Sequence, residues 1–277
     1  MTEDLPPPPD EAALPPGALR PRRRGIYILP NAITLGALFA GFYGIVMAMN
    51  GRFEAACIAI FCAAVLDSLD GRVARMTHSQ SAFGEQMDSL SDMVSFGAAP
   101  ALIVYIWGLK DLGKPGWIPA FVYISGAALR LARFNVNIGV VDKRYFQGLP
   151  SPAAAALVIG LIWAMDDAGF KGSAHLAWLN WLAFVVTLFA GLSMVTNAPF
   201  YSFKVLGGRH TVPFIVIVAI ALGIAIISLD PPSVLFAIFL AYGLSGYVVY
   251  AWRKAKGRPV SVIATSTDEP EEKGLHP

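Results

Sequence analysis

FEAACIAIFCAAVLDSLDGRVARM, residues 53–76, decides the fold. Twelve apolar residues run unbroken from Ala55 to Leu66, and only then do Asp67, Asp70, Arg72 and Arg75 interrupt the pattern. A stretch of this length covers the roughly 20 residues a helix needs to cross a bilayer. It therefore predicts a membrane span with a charged end.

Working outward, seven further stretches have the same character, giving eight candidate spans at about 29–50, 53–76, 84–108, 116–138, 151–170, 176–200, 211–229 and 232–252. Of the 277 residues, 56% are hydrophobic and 14% charged, with a mean hydropathy of +0.57. Soluble domains carry about 25% charged residues, so a soluble enzyme is excluded. The short alternating segments of an outer-membrane barrel are absent as well. Fold class is thus an all-α polytopic membrane protein. Cys57 and Cys62, five positions apart on one helix, point to different sides and make neither a disulfide framework nor a zinc site. No repeat of a transporter half is visible.

Residues 1–25, with Pro6 to Pro9 and the acidic Glu3, Asp4, Asp10 and Glu11, are too poor in apolar side chains to fold alone and do not read as a secretory signal. The segment 258–277 reads as a second solvated tail. If both termini share one side, sixteen Lys and Arg residues fall on that side, among them Arg20, Arg72, Arg130, Lys143, Lys204 and Arg253. Only Arg52, Lys110, Lys114 and Lys171 fall on the other, with Lys273 of the distal tail left aside. The positive-inside rule makes the rich side cytoplasmic. Small residues inside the spans, such as Ala37, Gly41, Gly44, Gly243 and Gly246, suit close helix packing in lipid.

The charged end of span two continues in the next span as Gly84-Glu85-Gln86-Met87-Asp88-Ser89-Leu90-Ser91-Asp92. Helical spacing puts Asp67 and Asp70 on one face, Asp88 and Asp92 on another, and a short turn lets the faces meet. Four carboxylates so placed repel one another unless cations offset them; one carboxylate at mid-bilayer alone costs about 2.5–3.5 kcal/mol on insertion scales. Arg72 and Arg75 offer structural ion pairs as one answer. Hard divalent cations offer another, since an oxygen-only ligand set favours Mg2+ or Mn2+ over zinc or copper. Paired ions bridged by carboxylates, about 3.5–4 Å apart, make a clamp for in-line displacement at phosphorus. Gly71 and Gly84 leave room for a close approach.

Asp67-x2-Asp70-Gly71-x2-Ala74-Arg75-x8-Gly84-x3-Asp88-x3-Asp92 resembles the full signature of the CDP-alcohol phosphotransferase family. The resemblance implies a membrane enzyme with a six-helix core that joins a CDP-linked lipid or alcohol to a second alcohol and releases CMP. It implies that Asp67, Asp70, Asp88 and Asp92 hold two divalent ions, Mg2+ or Mn2+, with Asp92 also the general base. Gly71, Ala74, Arg75 and Gly84 would line the nucleotide and diphosphate site. Asn31 and Thr34 resemble a family pair beside the diphosphate, although Asn31 reads equally as an ordinary helix N-cap.

Arg130 and Arg133 share a helix face and read either as lipid-headgroup anchors or as a phosphate or carboxylate pocket facing the aspartates. The strings Arg133-Phe134-Asn135 and Gly148-Leu149-Pro150-Ser151-Pro152 resemble a serine-using branch of the family. That implies CDP-diacylglycerol as donor and L-serine as acceptor, with Arg130, Arg133 and Asn135 on the acceptor side. It also implies a homodimer in the prokaryotic inner membrane, organised as a core over 26–200, two further helices over 201–257, and the two tails. Sister enzymes using glycerol 3-phosphate or inositol phosphate share the signature. An intramembrane prenyltransferase has differently spaced acidic motifs, and a cation transporter could use aspartates as ligands. His78 reads as a solvated turn histidine or as a substrate contact, His175, His210 and His276 have no partner at ligand spacing, and Trp107, Trp117, Trp163, Trp178 and Trp252 read as an interfacial belt. Nothing suggests a nucleic-acid partner.

Overall fold

The computed structural model describes residues 28–136, 145–170, 177–201 and 214–256. Both expected tails, together with Lys143, Arg144, Lys171, His175, Lys204, Arg209 and His210, lie outside the described residues. Eight long helices follow in chain order: α1 Ile28–Met49, α2 Phe53–Met76, α3 Ala82–Trp107, α4 Trp117–Val136, α5 Ser151–Asp167, α6 Ala177–Val195, α7 Phe214–Leu229 and α8 Pro231–Ala255. They match the eight expected spans.

Helices α1, α3, α6 and α8 are each long and apolar enough to cross a bilayer by themselves. The remaining four are shorter, as in α5 and α7, or carry charge near one end, as in α2 and α4. The chain is an all-α integral membrane protein.

Helix α5 is buried from Ala153 to Ile162 on every side. A helix apolar all round belongs at the centre of a bundle, and α5 packs there against α2, α3, α6 and α8. By contrast, α7 exposes Leu222, Ile224 and Ile226, as a lipid-facing helix does. Small residues set the closest crossings. A Cβ at Gly41 of α1 would come within 2.8 Å of the Ser95 Cα in α3, and at Gly126 of α4 it would collide with the Gly191 carbonyl of α6. Such approaches are how helices gain packing in lipid, where apolar burial offers no advantage between them.

Helix α3 is not regular throughout. Residues Met93–Ala98 form a π-helical segment directly after Asp92. Pro100 has no N–H to give the Phe96 carbonyl, and the buried Tyr123 Oη of α4 donates to that oxygen at 2.9 Å. Trp107 corrects the belt reading: it stands at the end of α3 but is 1% exposed, whereas Trp117, Trp178 and Trp252 are exposed.

An antiparallel ribbon was not foreseen. Strand β1, Tyr145–Gln147, pairs with β2, Pro199–Tyr201, in the register Tyr145↔Tyr201, Phe146↔Phe200, Gln147↔Pro199. It ties the α4–α5 connection to the chain after α6.

Candidate metal and phosphate site

The turn between α2 and α3 is short and pinned at both ends. Thr77 Oγ1 donates back to the Val73 carbonyl at 2.7 Å, and Ser81 caps α3 by accepting the Gly84 N–H at 3.0 Å. His78 makes the reversal with φ of 51°, and its side chain is exposed, as expected of a solvated histidine.

This hairpin brings the two acidic faces together. One carboxylate oxygen from each of Asp67, Asp70 and Asp88 lies within 4.8 Å of the others. Asp70 is 5% exposed and receives Thr34 Oγ1 from α1 at 2.7 Å. Asp92, one turn beyond Asp88, stands outside that triplet but adjoins it, with Asp67, Asp88 and Arg130 as its charged neighbours. Its Oδ1 is buried and has no hydrogen-bond partner among the described residues.

Three converging carboxylates and an orphaned buried oxygen are unfavourable in a membrane unless a cation completes them. All donors are oxygens, without a histidine or cysteine among them, which suits a hard divalent ion. The aspartate cluster thus fits the metal that the sequence pattern implies.

Around it stand the expected nucleotide residues. Asn31 is already inside α1, three residues past Ile28, so it is not an N-cap. Its Oδ1 instead sits 3.3 Å from where a Gly84 Cβ would be, so a side chain at 84 would press on Asn31. The Arg75 guanidinium lies over Gly71, its Nη1 3.5 Å from the position of an added Cβ, and Ala74 is half-buried between them in sequence.

Arg130, Arg133 and Asn135, expected on the acceptor side, each bond to a different element. Arg130 donates to Ser151 Oγ at 2.7 Å while facing Asp92. Arg133 donates to the Val195 carbonyl at 3.2 Å and reaches Asn197 Oδ1 at 3.4 Å, where Gln147 also donates. Asn135 Nδ2 donates to Ser89 Oγ at 3.1 Å. Ser89, Gln147 and Asn197 were not anticipated; they are common polar residues whose importance depends on distant partners.

A helical bundle in lipid, with carboxylates for a hard cation at one end and arginines beside them, defines an integral membrane protein built to handle an anionic phosphate ester. Residues 27–189 match the CDP-alcohol phosphatidyltransferase family, and the chain belongs to that family. It is 34% identical over 225 residues to a CDP-diacylglycerol--serine O-phosphatidyltransferase of Helicobacter pylori (strain J99), covering 80% of this chain and 92% of that one. A protein of the same name from Mycobacterium leprae is 40% identical over 151 residues, covering 52% and 50% of the two chains. An archaetidylserine synthase of Methanothermobacter thermautotrophicus is 38% identical over 132 residues, covering 47% and 55%.

Proposed function

We propose that this chain transfers the phosphatidyl group of CDP-diacylglycerol to the hydroxyl of L-serine, giving phosphatidylserine and CMP. The convergence of Asp67, Asp70 and Asp88, with Asp92 alongside, carries this reading. Likeness to the Helicobacter protein along nearly its whole length supports serine as the acceptor.

In the reaction the serine oxygen forms a bond to the phosphorus that carries diacylglycerol. The bond from that phosphorus to the bridging oxygen of CMP breaks, and CMP leaves with the electron pair. Asp92 accepts the hydroxyl proton, a role suited to a carboxylate at the edge of the cluster beside Arg130. Two divalent ions, Mg2+ or Mn2+, when held by Asp67, Asp70, Asp88 and Asp92, neutralise charge on the diphosphate. Asn31, Thr34, Gly71, Ala74, Arg75 and Gly84 line the nucleotide side, where Arg75 opposes phosphate charge. Arg130, Arg133 and Asn135 form the acceptor side, and a guanidinium fork there matches the serine carboxylate.

The excess of basic residues at this end supports a site and both termini facing the cytoplasm across a prokaryotic inner membrane. The division into a core over 26–200, two added helices over 201–257 and flanking tails belongs to the same reading, as does a homodimer, which light scattering of the purified protein would test.

The deciding experiment supplies purified protein with CDP-diacylglycerol and, separately, L-serine, glycerol 3-phosphate or inositol phosphate. CMP release with serine alone is expected. Release only with glycerol 3-phosphate or inositol phosphate would make this a sister enzyme, and divalent-ion flux into proteoliposomes without CMP release would make it a transporter.

A further inference from the structure

Helix α8 lies beyond the family-matched residues 27–189, yet it grips the acceptor side of the site. We propose that Tyr247 of α8, acting through Ser193, is a positioning residue that sets affinity for the acceptor alcohol. This rests on the transferase reading above and extends it to a helix that the shared signature does not reach.

Tyr247 Oη and Ser193 Oγ are 2.7 Å apart. Ser193 is fully buried near the end of α6, and its carbonyl accepts the Leu149 N–H at 2.9 Å. Leu149 belongs to the turn Gly148-Leu149-Pro150-Ser151, whose last residue holds Arg130. This turn cannot shift independently of α6: Gly148 has φ of 77°, and a Cβ there would collide with the Met194 carbonyl. Two residues past Ser193, the Val195 carbonyl holds Arg133. One short stretch, residues 193–197, therefore holds Arg133 directly and Arg130 through the turn from Leu149 to Ser151, and Tyr247 is bonded to that stretch at Ser193.

Two neighbouring contacts show that α8 meets this region at more than one point. The fully buried Phe200 ring of β2 lies against Gly246 so closely that any Cβ there would overlap it. Tyr242 Oη donates to the Tyr201 carbonyl at 3.1 Å. Positions 242 and 246, four apart, share one side of the helix, and 247 lies about 100° round from 246, so α8 bears on β2 and on the end of α6 with adjoining faces. A plain membrane anchor would need apolar contact only; here the Tyr247–Ser193 hydroxyl pair and one further tyrosine hydroxyl contact, from Tyr242, fix the register.

Tyr247→Phe isolates the hydroxyl, because the ring that meets Phe189 at a tilt and Phe200 edge-on remains. The test measures CMP release against L-serine and against CDP-diacylglycerol with purified full-length protein. Loss of one buried hydrogen bond predicts a KM for serine raised about three- to tenfold. The kcat and the donor KM should stay within about twofold, a split that general loosening of the fold does not produce. Ser193→Ala should give the same rise, and the double variant no more than either single one. An unchanged serine KM in both single variants, additive effects, or a parallel loss of kcat and both affinities would overturn the inference. Absence of CMP release with serine in the unaltered protein would instead defeat the proposed function; the same comparison, run with whichever acceptor is used, still decides the role of Tyr247.

Discussion

The aspartate side and the arginine side of the site are built by different means. Asp67, Asp70, Asp88 and Asp92 stand on two helices joined by a five-residue turn, residues 77–81, so helical period and one hairpin align them. Arg130 and Arg133 share one face of α4, but their partners Ser151, Val195 and Asn197 lie 21, 62 and 64 positions away. The first arrangement is local and unforgiving: nothing nearby replaces a lost carboxylate. The second is long-range and graded: loosening one support moves a charge without removing it. Damage to the aspartates should therefore stop chemistry, whereas damage around the arginines should weaken acceptor binding.

The largest expected effect tests the first half of that contrast. Asp88→Asn and Asp92→Asn should each lower kcat by about 10²- to 10⁴-fold, the range for loss of a general base or a comparable group. Removal of divalent ions with a chelator should bring the unaltered protein to the same level, and Mg2+ or Mn2+ should restore it; the Asn variants should not recover at any ion concentration. An Asp92→Asn protein retaining more than a tenth of the activity would remove Asp92 from the role of base.

The second prediction addresses the arginines. Arg133→Ala should raise the serine KM roughly 30-fold, since hydrogen bonds from a charged group contribute about 1.5–3 kcal/mol. Arg133→Lys should recover part of this, because charge returns but the planar fork does not. A kcat loss as large as that of Asp88→Asn, with KM unmoved, would erase the distinction between the two sides.

The same difference explains what a reader of the sequence can and cannot see. Asp67, Asp70 and Asp88 are recoverable because three- and four-residue spacings project directly into space along a helix. The eight spans are recoverable because bilayer thickness sets their length. Strand pairing between Phe146 and Phe200 has no such local mark, since three-residue strands in polar connections carry no alternating pattern. The π-helical segment left one trace, Pro100 inside an apolar span, which removes a backbone donor without saying how the helix will respond. Trp107 shows the converse: its place at a span end is visible, but whether it faces lipid or neighbouring helices depends on packing.

A third, smaller effect lies within the aspartate side. Thr34→Val keeps side-chain shape and removes the hydroxyl that donates to Asp70 at 2.7 Å. The buried carboxylate then loses this donor and keeps the Gly71 N–H, at a cost of about 1–3 kcal/mol, so the divalent-ion concentration for half-maximal activity should rise roughly tenfold. Excess ion should restore kcat. A kcat that stays low at saturating ion would mean that Thr34 acts through the nucleotide it lines and not through the Asp70 carboxylate.

The smallest effect is the most informative about whether the sides are independent. Ser89, next to Asp88 on α3, is bonded to Asn135 at the end of α4, so this pair bridges the aspartates and the arginine helix. Asn135 is exposed, and exposed substitutions usually shift stability by less than about 0.5 kcal/mol. Ser89→Ala should then change kcat and both KM values by no more than about twofold. If it instead lowers kcat tenfold, the position of Asp88 depends on α4 as well as on its own hairpin. The aspartates would then no longer be a local construction, and the contrast from which the larger effects were predicted would have to be redrawn around a single coupled unit.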